Sequence, residues 1–527
     1  KRYNIEIRGF PECTNACPAG INVKAYIGLI ANRNFEKAIE IVRQANPFPA
    51  VCGRVCTRPC EESCEQTEKG DPVSIRALKR YASDYELARR PLVSKPCEQK
   101  YNEKIAIIGS GPAGLSAAVD LTRLGYPVTV FEKNEYPGGM LRYAIPRYRL
   151  PDRILKREID WIKGLGIKIE TNKEIKDFKS LLNKGFSAVL IATGSPKSLP
   201  LRIDGEDSDG VIDPLEFLWR IKADKPIDVK GEVVVIGGGS TAFDAARSSI
   251  RLGAKKVTLV YRRGYEEMPA EKEEVIDAEE EGVIIITLAI PKKIIVKNKK
   301  VQGVEFYKAK LGEPDKSGRK RPTPIKDKVF TVKADILIPA IGAKPDVKNK
   351  EIIDNRGKIK IKEYGFTDIK GLFAAGDVET GPSSVVEAIG RGHQAAKGID
   401  SYLRGNKIKE DTVAKVPIVV EKHTYAKSIH TPEKLSIQDR IKSFDEVEKS
   451  LNDFEAVEEA SRCSTCGPCY LCSVCIPNCD HKQLVAKIDN KAFLLKVPSE
   501  LSQRITKKGT SEHVVKIGKT TEKIKLY

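Results

Sequence analysis

The segment KIAIIGSGPAG at residues 104–114 decides the architecture predicted for the centre of the chain. Residues typical of a buried strand lead directly into a glycine-rich turn, and a helical stretch follows as far as Leu124. A second strand, residues 128–131, ends at Glu132, which lies 23 residues after Gly109. A strand, a GxGxxG turn, a helix and a strand-end acid in this order predict a dinucleotide-binding fold.

Each part of this turn has a predicted role. Gly109 makes the tight turn, Gly111 lets a pyrophosphate approach the N–H groups of the helix, and Gly114 lets helix and strand pack closely. Glu132 can accept hydrogen bonds from both hydroxyls of a ribose. The alternative is a glycine-rich turn with a purely structural role.

A second fingerprint begins with the strand at residues 232–236 and continues through Gly237 and Gly239 into a helix. Its second strand is followed by Arg262 and Arg263, and no acid ends that strand. Because two guanidinium groups can pair with a 2′-phosphate that an acid would repel, this unit is predicted to bind NADP(H) rather than NAD(H). The alternative is that both arginines merely form a solvated strand end.

Further segments are predicted to complete the first unit around the second. Residues 186–194 and 372–377 each predict a strand that ends in a turn of small residues, and a helix follows from about Val385. Residues 335–342 are expected to return the chain from the second unit. Two dinucleotide folds, one inserted in the other, bring a flavin and a nicotinamide face to face, so FAD and NADP(H) are the predicted cofactors.

The predicted FAD-binding residues lie in the first fingerprint, in the segment after it and at the later strand ends: Gly109, Gly111, Pro112, Ala113, Gly114, Glu132, Lys133, Gly139, Leu141, Thr193, Gly194, Gly376, Asp377, Ser384 and Val385. The predicted NADP(H)-binding residues lie mainly in the second fingerprint: Gly237, Gly239, Ser240, Thr241, Arg262, Arg263 and Gly342.

Twelve of the 13 cysteines lie in two groups, one near each end of the chain. The run Cys469-x2-Cys472-x2-Cys475-x3-Cys479 has the spacing of a bacterial ferredoxin [4Fe–4S] site, with Asp480 where proline is usual. Zinc is the alternative, but the chain has only five histidines. Disulfide-rich scaffolds are short and secreted, so the cysteines favour iron–sulfur clusters in a reducing compartment.

Several motifs together resemble the glutamate synthase small-subunit family. They are the segment PGGMLRYAIPRYRLP at residues 137–151, the second fingerprint with Met268-Pro269, and Cys52-x3-Cys56-x3-Cys60-x3-Cys64. The resemblance covers roughly residues 10–400 and extends to the N-terminal half of dihydropyrimidine dehydrogenase and the large subunit of NADH-dependent ferredoxin:NADP oxidoreductase. It implies an FAD unit, an NADPH unit and an N-terminal helical domain with two [4Fe–4S] clusters.

The chain departs from this family in its first cysteine group. Family members usually have an additional Cys-x2-Cys motif in this group, which is missing ahead of Cys13. A similar motif occurs instead near the C-terminus, at Cys463 and Cys466. Our hypothesis is that these two cysteines fold back and complete a cubane with Cys13 and Cys64. The resemblance assigns a second cubane to Cys17, Cys56 and Cys60. In relatives its fourth ligand is often a Gln or Glu near the position of residues 78–80, but a charged Lys79 cannot coordinate iron, so Cys52 becomes the candidate fourth ligand. The third cubane would use Cys469, Cys472, Cys475 and Cys479, and the alternative is two clusters with some free thiols.

Composition excludes several classes of function. Lys and Arg total 91 against 72 Asp and Glu, a net charge of +19 that is widely spread, and no nucleic-acid module signature is present. The longest apolar stretch, about residues 283–290, is far shorter than the roughly 20 residues of a spanning helix. No signal peptide is evident, so a cytoplasmic protein is expected. Patterns typical of hydrolases are absent.

We therefore predict an α/β protein with two nested dinucleotide-binding (Rossmann-like) domains, an N-terminal α-helical iron–sulfur domain and a small C-terminal ferredoxin-like segment. The expected boundaries are a helical domain at 1–100, an FAD domain at 101–225 and 335–405, an NADP domain at 226–334, a linker at 406–460, a cysteine knot at 461–482 and a basic tail at 483–527.

The predicted function is an NAD(P)H-dependent electron-transfer subunit that serves a larger catalytic subunit or ferredoxin, so a hetero-oligomer is expected. No catalytic residue beyond the cofactors is predicted. Three alternatives stay open: the small subunit of a glutamate synthase, a flavin-based electron-bifurcating subunit, and a non-catalytic iron–sulfur scaffold.

Overall fold

The computed structural model describes residues 11–68, 70–89, 94–315, 318–349, 351–408 and 429–464, together with the backbone of four strands near the C-terminus. The chain divides into two compact units. The first comprises Lys1–Leu92, Lys407–Pro432 and Ser450–Tyr527, and the second comprises Val93–Asn406 and Glu433–Lys449.

The α-helices of the described residues are α1 (Glu12–Asn15), α2 (Val23–Ala31), α3 (Phe35–Ala45), α4 (Pro49–Val55), α5 (Pro59–Glu62), α6 (Ile75–Arg89), α7 (Pro112–Leu124), α8 (Met140–Tyr143), α9 (Asp152–Gly164), α10 (Lys179–Asn183), α11 (Pro214–Lys222), α12 (Ser240–Arg251), α13 (Lys272–Glu280), α14 (Asp377–Thr380), α15 (Val385–Arg404), α16 (Ile437–Arg440) and α17 (Asp453–Ser461).

The strands are β1 (Lys104–Ile108), β2 (Val128–Phe131), β3 (Lys168–Glu170), β4 (Phe186–Ile191), β5 (Lys197–Ser198), β6 (Glu232–Ile236), β7 (Lys256–Val260), β8 (Ile284–Ile286), β9 (Ala289–Lys297), β10 (Lys300–Pro314), β11 (Lys320–Lys333), β12 (Ile336–Pro339), β13 (Ala343–Lys344), β14 (Leu372–Ala374), β15 (Leu484–Ile488), β16 (Lys491–Leu495), β17 (Ser511–Ile517) and β18 (Thr520–Leu526).

The first unit is helical around its cysteines, and its helices pack closely. A Cβ atom on Gly53 of α4 would lie 2.6 Å from the Cα atom of Arg80 on α6, so only glycine permits this approach. Tyr26 on α2 is buried, and its hydroxyl donates to the carbonyl oxygen of Ile75 at 3.0 Å. The four strands β15–β18 form a separate antiparallel sheet in the order β16-β15-β18-β17.

Helix α17 joins this unit from far along the sequence and packs against α2 and α6. The fully buried carboxylate of Glu459 accepts a hydrogen bond from the backbone N–H of Ser74 at 2.8 Å. Arg462 donates to the carbonyl oxygens of Asp71 and Pro72 at 2.7 and 3.1 Å. These contacts fix the chain directly before Cys463 against the N-terminal helices.

The second unit contains two parallel sheets. The first has the order β14-β4-β1-β2-β3, and helices α7 and α15 pack against each other beside it. Strands β1 and β2 and helix α7 occur where the first fingerprint predicts them, and β4 and β14 lie in the two later segments predicted as strands, whereas β3 was not anticipated. The predicted α/β class with parallel, Rossmann-like sheets is confirmed.

The second parallel sheet has the order β12-β6-β7-β8. Strand β12 pairs with β6, so residues 336–339 belong to this sheet rather than to the returning segment of the first domain. The chain therefore leaves the second fold after Pro339, later than the boundary expected at residue 335. The apolar run ILIP is a buried strand at the edge of this sheet, which sequence alone does not assign to one sheet or the other.

An antiparallel sheet in the order β11-β10-β9 occupies residues 289–333 and was not anticipated. Its buried residues Ile294, Val304 and Phe306 form one apolar cluster with Val234 and Leu337 of the second parallel sheet. The long strands β10 and β11 carry many exposed polar residues at their far ends, so their pattern resembles a solvated segment.

The expected linker at 406–460 contains packed structure in both units. Residues 433–449 belong to the second unit, where the backbone N–H of Val447 donates to the carbonyl oxygen of Tyr148 at 3.0 Å. Helix α17 begins at Asp453, where Asn452 caps it together with Glu455 in a capping box.

The segment 137–151 follows β2 of the first parallel sheet and contacts the helices of the second dinucleotide-binding fold. Arg149 forms ion pairs with Asp244 of α12 and with Glu274 of α13. The buried ring of Tyr148 lies 4.0 Å from the guanidinium carbon of Arg251. Together with Arg247, Arg251 donates to the carboxylate of Glu281, whose side chain is fully buried.

None of the helices in the described residues combines the length and the apolar character needed to cross a membrane.

Replacement of Glu281 by Gln should destabilise the second unit by about 3–5 kcal/mol, because Arg251 loses its ion-pair partner Glu281 and Arg247 keeps only its pair with Asp277, which leaves buried positive charge uncompensated. Although burial opposes ionisation, hydrogen bonds from Arg251 and Arg247 lower the pKa of Glu281 to about 2, from 4.5. Since the pKa in the folded state is depressed, this stabilisation is fully present above about pH 4.5 and is lost as the pH falls towards 2. Urea unfolding at pH 7 and at pH 3 measures both effects.

The matched control is Glu351→Gln, because Glu351 pairs with Lys179 at the exposed surface. Its free energy of unfolding should change by less than about 1 kcal/mol. Equal losses in the two variants would contradict the role given to the buried network.

Candidate functional site

The first fingerprint forms an open turn at the start of α7. Gly109 has a φ of +103°, and a Cβ atom there would lie 2.4 Å from the carbonyl oxygen of Ala192. A Cβ atom on Gly114 would lie 2.2 Å from the carbonyl oxygen of Gly109. Apart from its own neighbours in the chain and in α7, none of the described residues has an atom within 4 Å of the corresponding position at Gly111, where α7 begins without a side-chain cap. The turn therefore presents helix N–H groups to a space that a pyrophosphate can fill.

Glu132 lies buried at the end of β2, and its carboxylate is held in place by the turn. It accepts hydrogen bonds from the hydroxyl and backbone N–H of Ser110 at 2.6 and 3.1 Å and from the N–H of Asn134 at 2.9 Å. Ser110 also accepts from the N–H of Gly138 at 3.1 Å. Sequence analysis missed Ser110, since a variable position of the fingerprint gives no signal for this role.

The remaining flavin candidates line the same turn from other segments. A Cβ atom on Gly139 would lie 2.9 Å from the Cα atom of Gly111, so the loop after β2 approaches the turn closely. The buried hydroxyl of Thr193 has no hydrogen-bond partner within the described residues. Burial raises the pKa of Asp377 to about 6, although Ser383 donates to its carboxylate at 2.7 Å. An open cradle with an unsatisfied hydroxyl fits a dinucleotide such as FAD.

The other predicted flavin residues occupy defined places around this cradle. Leu141 is buried in α8, whereas Lys133 is exposed. Those at helix starts are Pro112 and Ala113 in the first turn of α7, Gly376 as N-cap of α14, Ser384 as N-cap of α15, and Val385 as its first residue. Gly194 directly follows Thr193 and has a φ of +66°.

The second fingerprint repeats this geometry. Gly237 has a φ of +154°, and a Cβ atom there would lie 2.2 Å from the carbonyl oxygen of Ala340. Gly239 is the N-cap of α12, and the nearest atom to its Cβ position is 3.7 Å away. Ser240 and Thr241 form the first turn of α12, and Gly342 has a φ of +130°.

The structure separates the roles of the two arginines after β7. Arg263 is buried and donates to Asp315 at 2.6 Å and to the carbonyl oxygen of Lys320 at 2.9 Å, so it holds the turn between β10 and β11. Arg262 is exposed. Desolvation and then the like charges of Arg263 and Arg319 lower the pKa of Arg262. A bound phosphate would neutralise these clustered positive charges. Of the two arginines after β7, Arg262 is the one that is accessible to solvent.

Four cysteines, which we call the inner thiol group, are buried in the first unit: Cys17, Cys52, Cys56 and Cys60. Desolvation raises the pKa of the Cys17 and Cys60 thiols, and the charge of Lys79 opposes that rise. Within the described ranges, no three His, Cys, Asp or Glu side chains converge closely enough to hold one metal ion. Four buried thiols in one small helical unit are a donor set that suits a cluster, in which different iron atoms take different thiolates.

A second set of cysteines lines a cavity between α2, α5 and the end of α17, which we call the thiol cavity. Cys13, Cys64 and Cys463 all line it. Gln66, which sequence analysis did not single out, also lines it and donates to the carbonyl oxygen of Arg462 at 2.8 Å. The structure therefore brings together three of the four cysteines that our hypothesis assigned to one cubane.

Cys466, Cys469, Cys472, Cys475 and Cys479 lie outside the described residues. Cys97 belongs to the second unit.

Two family models match the chain. The model for pyridine nucleotide-disulphide oxidoreductases matches residues 103–392, which contain both glycine turns. The chain belongs to this family. The model for dihydropyrimidine dehydrogenase domain II with a 4Fe-4S cluster matches residues 9–91, the N-terminal helices with their cysteines. The protein is thus an NAD(P)H-dependent oxidoreductase with an FAD/NADP-binding fold and a 4Fe–4S domain.

Curated relatives agree with this assignment and with the resemblance found in the sequence. The NADPH-Fe(3+) oxidoreductase subunit beta of Geobacter sulfurreducens is 38% identical over 509 residues, covering 86% of this chain and 75% of the relative. The NADP(+)-dependent formate dehydrogenase subunit beta of Moorella thermoacetica is 38% identical, covering 86% and 70%. The glutamate synthase [NADPH] small chain of Escherichia coli is 36% identical, covering 75% and 89%. All three are named as subunits or chains of larger enzymes.

Among solved structures, FprA of Mycobacterium tuberculosis in complex with NADPH aligns with a TM-score of 0.52 at 20% identity. The alignment covers 58% of this chain and 85% of FprA. This likeness supports the nested two-sheet fold.

Replacement of Arg262 by Ala should raise the KM for NADPH at least about tenfold and leave that for NADH nearly unchanged. The reason is that a charged hydrogen bond to a 2′-phosphate contributes roughly 1.5–3 kcal/mol. Initial-rate kinetics with an artificial acceptor measure both constants.

Arg263→Ala is the paired variant, because Arg263 is committed to Asp315 and Lys320. It should lower stability more than Arg262→Ala does. If Arg262→Ala weakened the binding of NADPH and of NADH equally, Arg262 would not recognise the 2′-phosphate.

Proposed function

We propose that this chain exchanges hydride between NADP(H) and FAD and passes single electrons through [4Fe–4S] clusters to or from a partner subunit or ferredoxin. The bound nicotinamide and flavin supply the hydride chemistry, and the clusters carry one electron each. The roles of the protein are to bind, orient and insulate these groups.

The two glycine turns are proposed to bind the two dinucleotides by the same means. Each directs the N-terminus of a long helix, α7 or α12, at the place where a pyrophosphate would lie. Glu132, already oriented by Ser110, would accept from the ribose of FAD. Arg262 would pair with the 2′-phosphate of NADP(H), since it is the exposed member of its pair.

One observation carries the proposal of electron transfer beyond the flavin. The cysteines of the first unit form two separate sets, the inner thiol group and the thiol cavity, in the same chain as the two dinucleotide folds. We propose that Cys17, Cys52, Cys56 and Cys60 hold one cubane, and that Cys13, Cys64, Cys463 and Cys466 hold another. Cys469, Cys472, Cys475 and Cys479 are proposed to hold a third, on the spacing of the sequence alone.

The relatives favour an electron-transfer subunit over a glutamate synthase small subunit. The two relatives named as beta subunits align over 86% of this chain, against 75% for the glutamate synthase small chain. The helix α17 and the cysteine that follows it also lie beyond the region that the family model of the oxidoreductase matches. A complex with a catalytic partner that holds the final electron donor or acceptor is therefore our proposal.

Replacement of Cys463 by Ser should remove one cubane, a loss of about four iron atoms per chain from about twelve. Iron and acid-labile sulfide analysis of anaerobically purified protein measures this loss. Cys97→Ser is the matched control, since this cysteine lies in neither thiol set, and it should retain all the iron. Full iron content in the Cys463→Ser protein would exclude Cys463 as a ligand.

Replacement of Cys472 by Ser should abolish the C-terminal cluster, leave NADPH-driven reduction of the flavin intact, and strongly reduce electron delivery to the native partner. Stopped-flow absorbance follows the flavin, and turnover of the purified complex follows delivery. Unchanged turnover would place the C-terminal cluster off the electron path.

A further inference from the structure

A buried lysine accompanies the inner thiol group. Lys79 lies on α6 with 3% of its surface exposed, which is rare for a lysine. The four cysteines of this group come from three other places in the sequence: Cys17 after α1, Cys52 and Cys56 at α4, and Cys60 on α5. The fold thus gathers four thiols and one primary amine in the interior of one small helical unit.

The packing of α4 on α6 brings the part of α6 that carries Lys79 close to the cysteines of α4. The backbones meet where Gly53 opposes Arg80, at a distance that no larger residue permits. Cys52 and Lys79 each directly precede one of these contact residues, so they lie on adjoining turns of the two helices. A fixed contact of this kind leaves the lysine little freedom to withdraw to solvent.

The neighbouring cations have carboxylate partners. Arg80 pairs with Asp84 at 3.3 Å, and Arg54 pairs with the same carboxylate at 2.9 Å. The charges that act on Lys79 come instead from cysteines. Cys56, Cys52, Cys60 and Cys17 are the groups whose charges act on its ammonium.

An ammonium ion buried without an anion is strongly unfavourable, so the position of Lys79 calls for a compensating negative charge. A cubane with four thiolates is such an anion, and it gains one more negative charge on reduction. Inside a protein the interaction between such charges is weakly screened. Net charge is one of the factors that set the potential of an iron–sulfur cluster.

We propose that Lys79 is a fixed counter-charge that raises the reduction potential of the cubane held by Cys17, Cys52, Cys56 and Cys60. This inference rests on the proposed function, which places a cluster at those cysteines. A cubane bound there would take up one electron, supplied by NADPH through the flavin, and the Lys79 ammonium would stabilise the added negative charge. No bond forms or breaks in Lys79, and no proton is transferred.

The test is a redox titration followed by low-temperature EPR on the full chain, comparing the native protein with Lys79→Met and Lys79→Gln. Methionine keeps the unbranched shape of lysine and removes the charge, and glutamine keeps a polar end. In both variants the midpoint potential of one cluster should shift to a more negative value, while iron and FAD contents stay at native levels. Lys79→Arg keeps the positive charge, so its midpoint potential should stay close to the native value.

Lys37→Gln is the matched control, because Lys37 is an exposed lysine on α3 of the same unit. It removes the same charge from the surface and should leave every midpoint potential at its native value. If the neutral variants keep their iron and show no shift, or if Lys79→Arg shifts as far as Lys79→Met, the inference is wrong. If both neutral variants lose the cluster while Lys79→Arg retains it, the counter-charge is needed even to hold the cubane, which supports the inference.

The native protein separates this outcome from a failure of the proposed function. A native chain whose four inner thiols bind no iron, shown by an unchanged iron content in Cys56→Ser, would overturn the cluster itself. If the cluster is present but its midpoint potential does not change when Lys79 is replaced, only the role of the lysine is overturned.

Discussion

The structure of the second unit depends on one steric constraint, which occurs twice. At the end of β1 and again at the end of β6, the chain turns so tightly that a side chain would strike the carbonyl oxygen at the end of the neighbouring parallel strand. The distances are 2.4 Å at Gly109 and 2.2 Å at Gly237. Only glycine permits this approach, and the approach is what directs each following helix with its free N–H groups towards an open space. Both nucleotide sites proposed for this oxidoreductase depend on these turns.

In the first unit the corresponding constraint is a set of buried polar contacts between segments distant in sequence. Glu459 and Arg462, near the end of α17, satisfy backbone groups of residues 71–74, and Gln66 completes the link at the carbonyl oxygen of Arg462. A buried carboxylate and guanidinium without these partners would be strongly destabilising. The consequence for function is that Cys463 is held beside Cys13 and Cys64, so one proposed cluster needs both ends of the chain.

Much of this arrangement could be predicted from sequence, because it depends on local patterns. Short sequence motifs identify the strand-turn-helix units, the strand-end acid Glu132 and the Cys-x2-Cys motif at Cys463. Other features depend on contacts that no local pattern encodes. Arg262 and Arg263 are identical neighbours in sequence, and only the turn at Asp315 shows that one of them is structural. The sheet β9–β11 and the place of β12 in the second fold likewise follow from tertiary packing. Lys79 was excluded as a ligand, but its burial among thiols became evident only from the packing of α4 on α6.

The central claim is that electrons from NADPH reach iron–sulfur clusters through the flavin of the same chain. The most direct measurement is an anaerobic titration of the purified chain with NADPH, in which flavin absorbance and the EPR signal of reduced clusters are recorded on the same samples. The account predicts that the flavin is reduced and that reduced-cluster signals rise with it, without any added partner. Bleaching of the flavin with no cluster signal at any NADPH concentration would contradict the account.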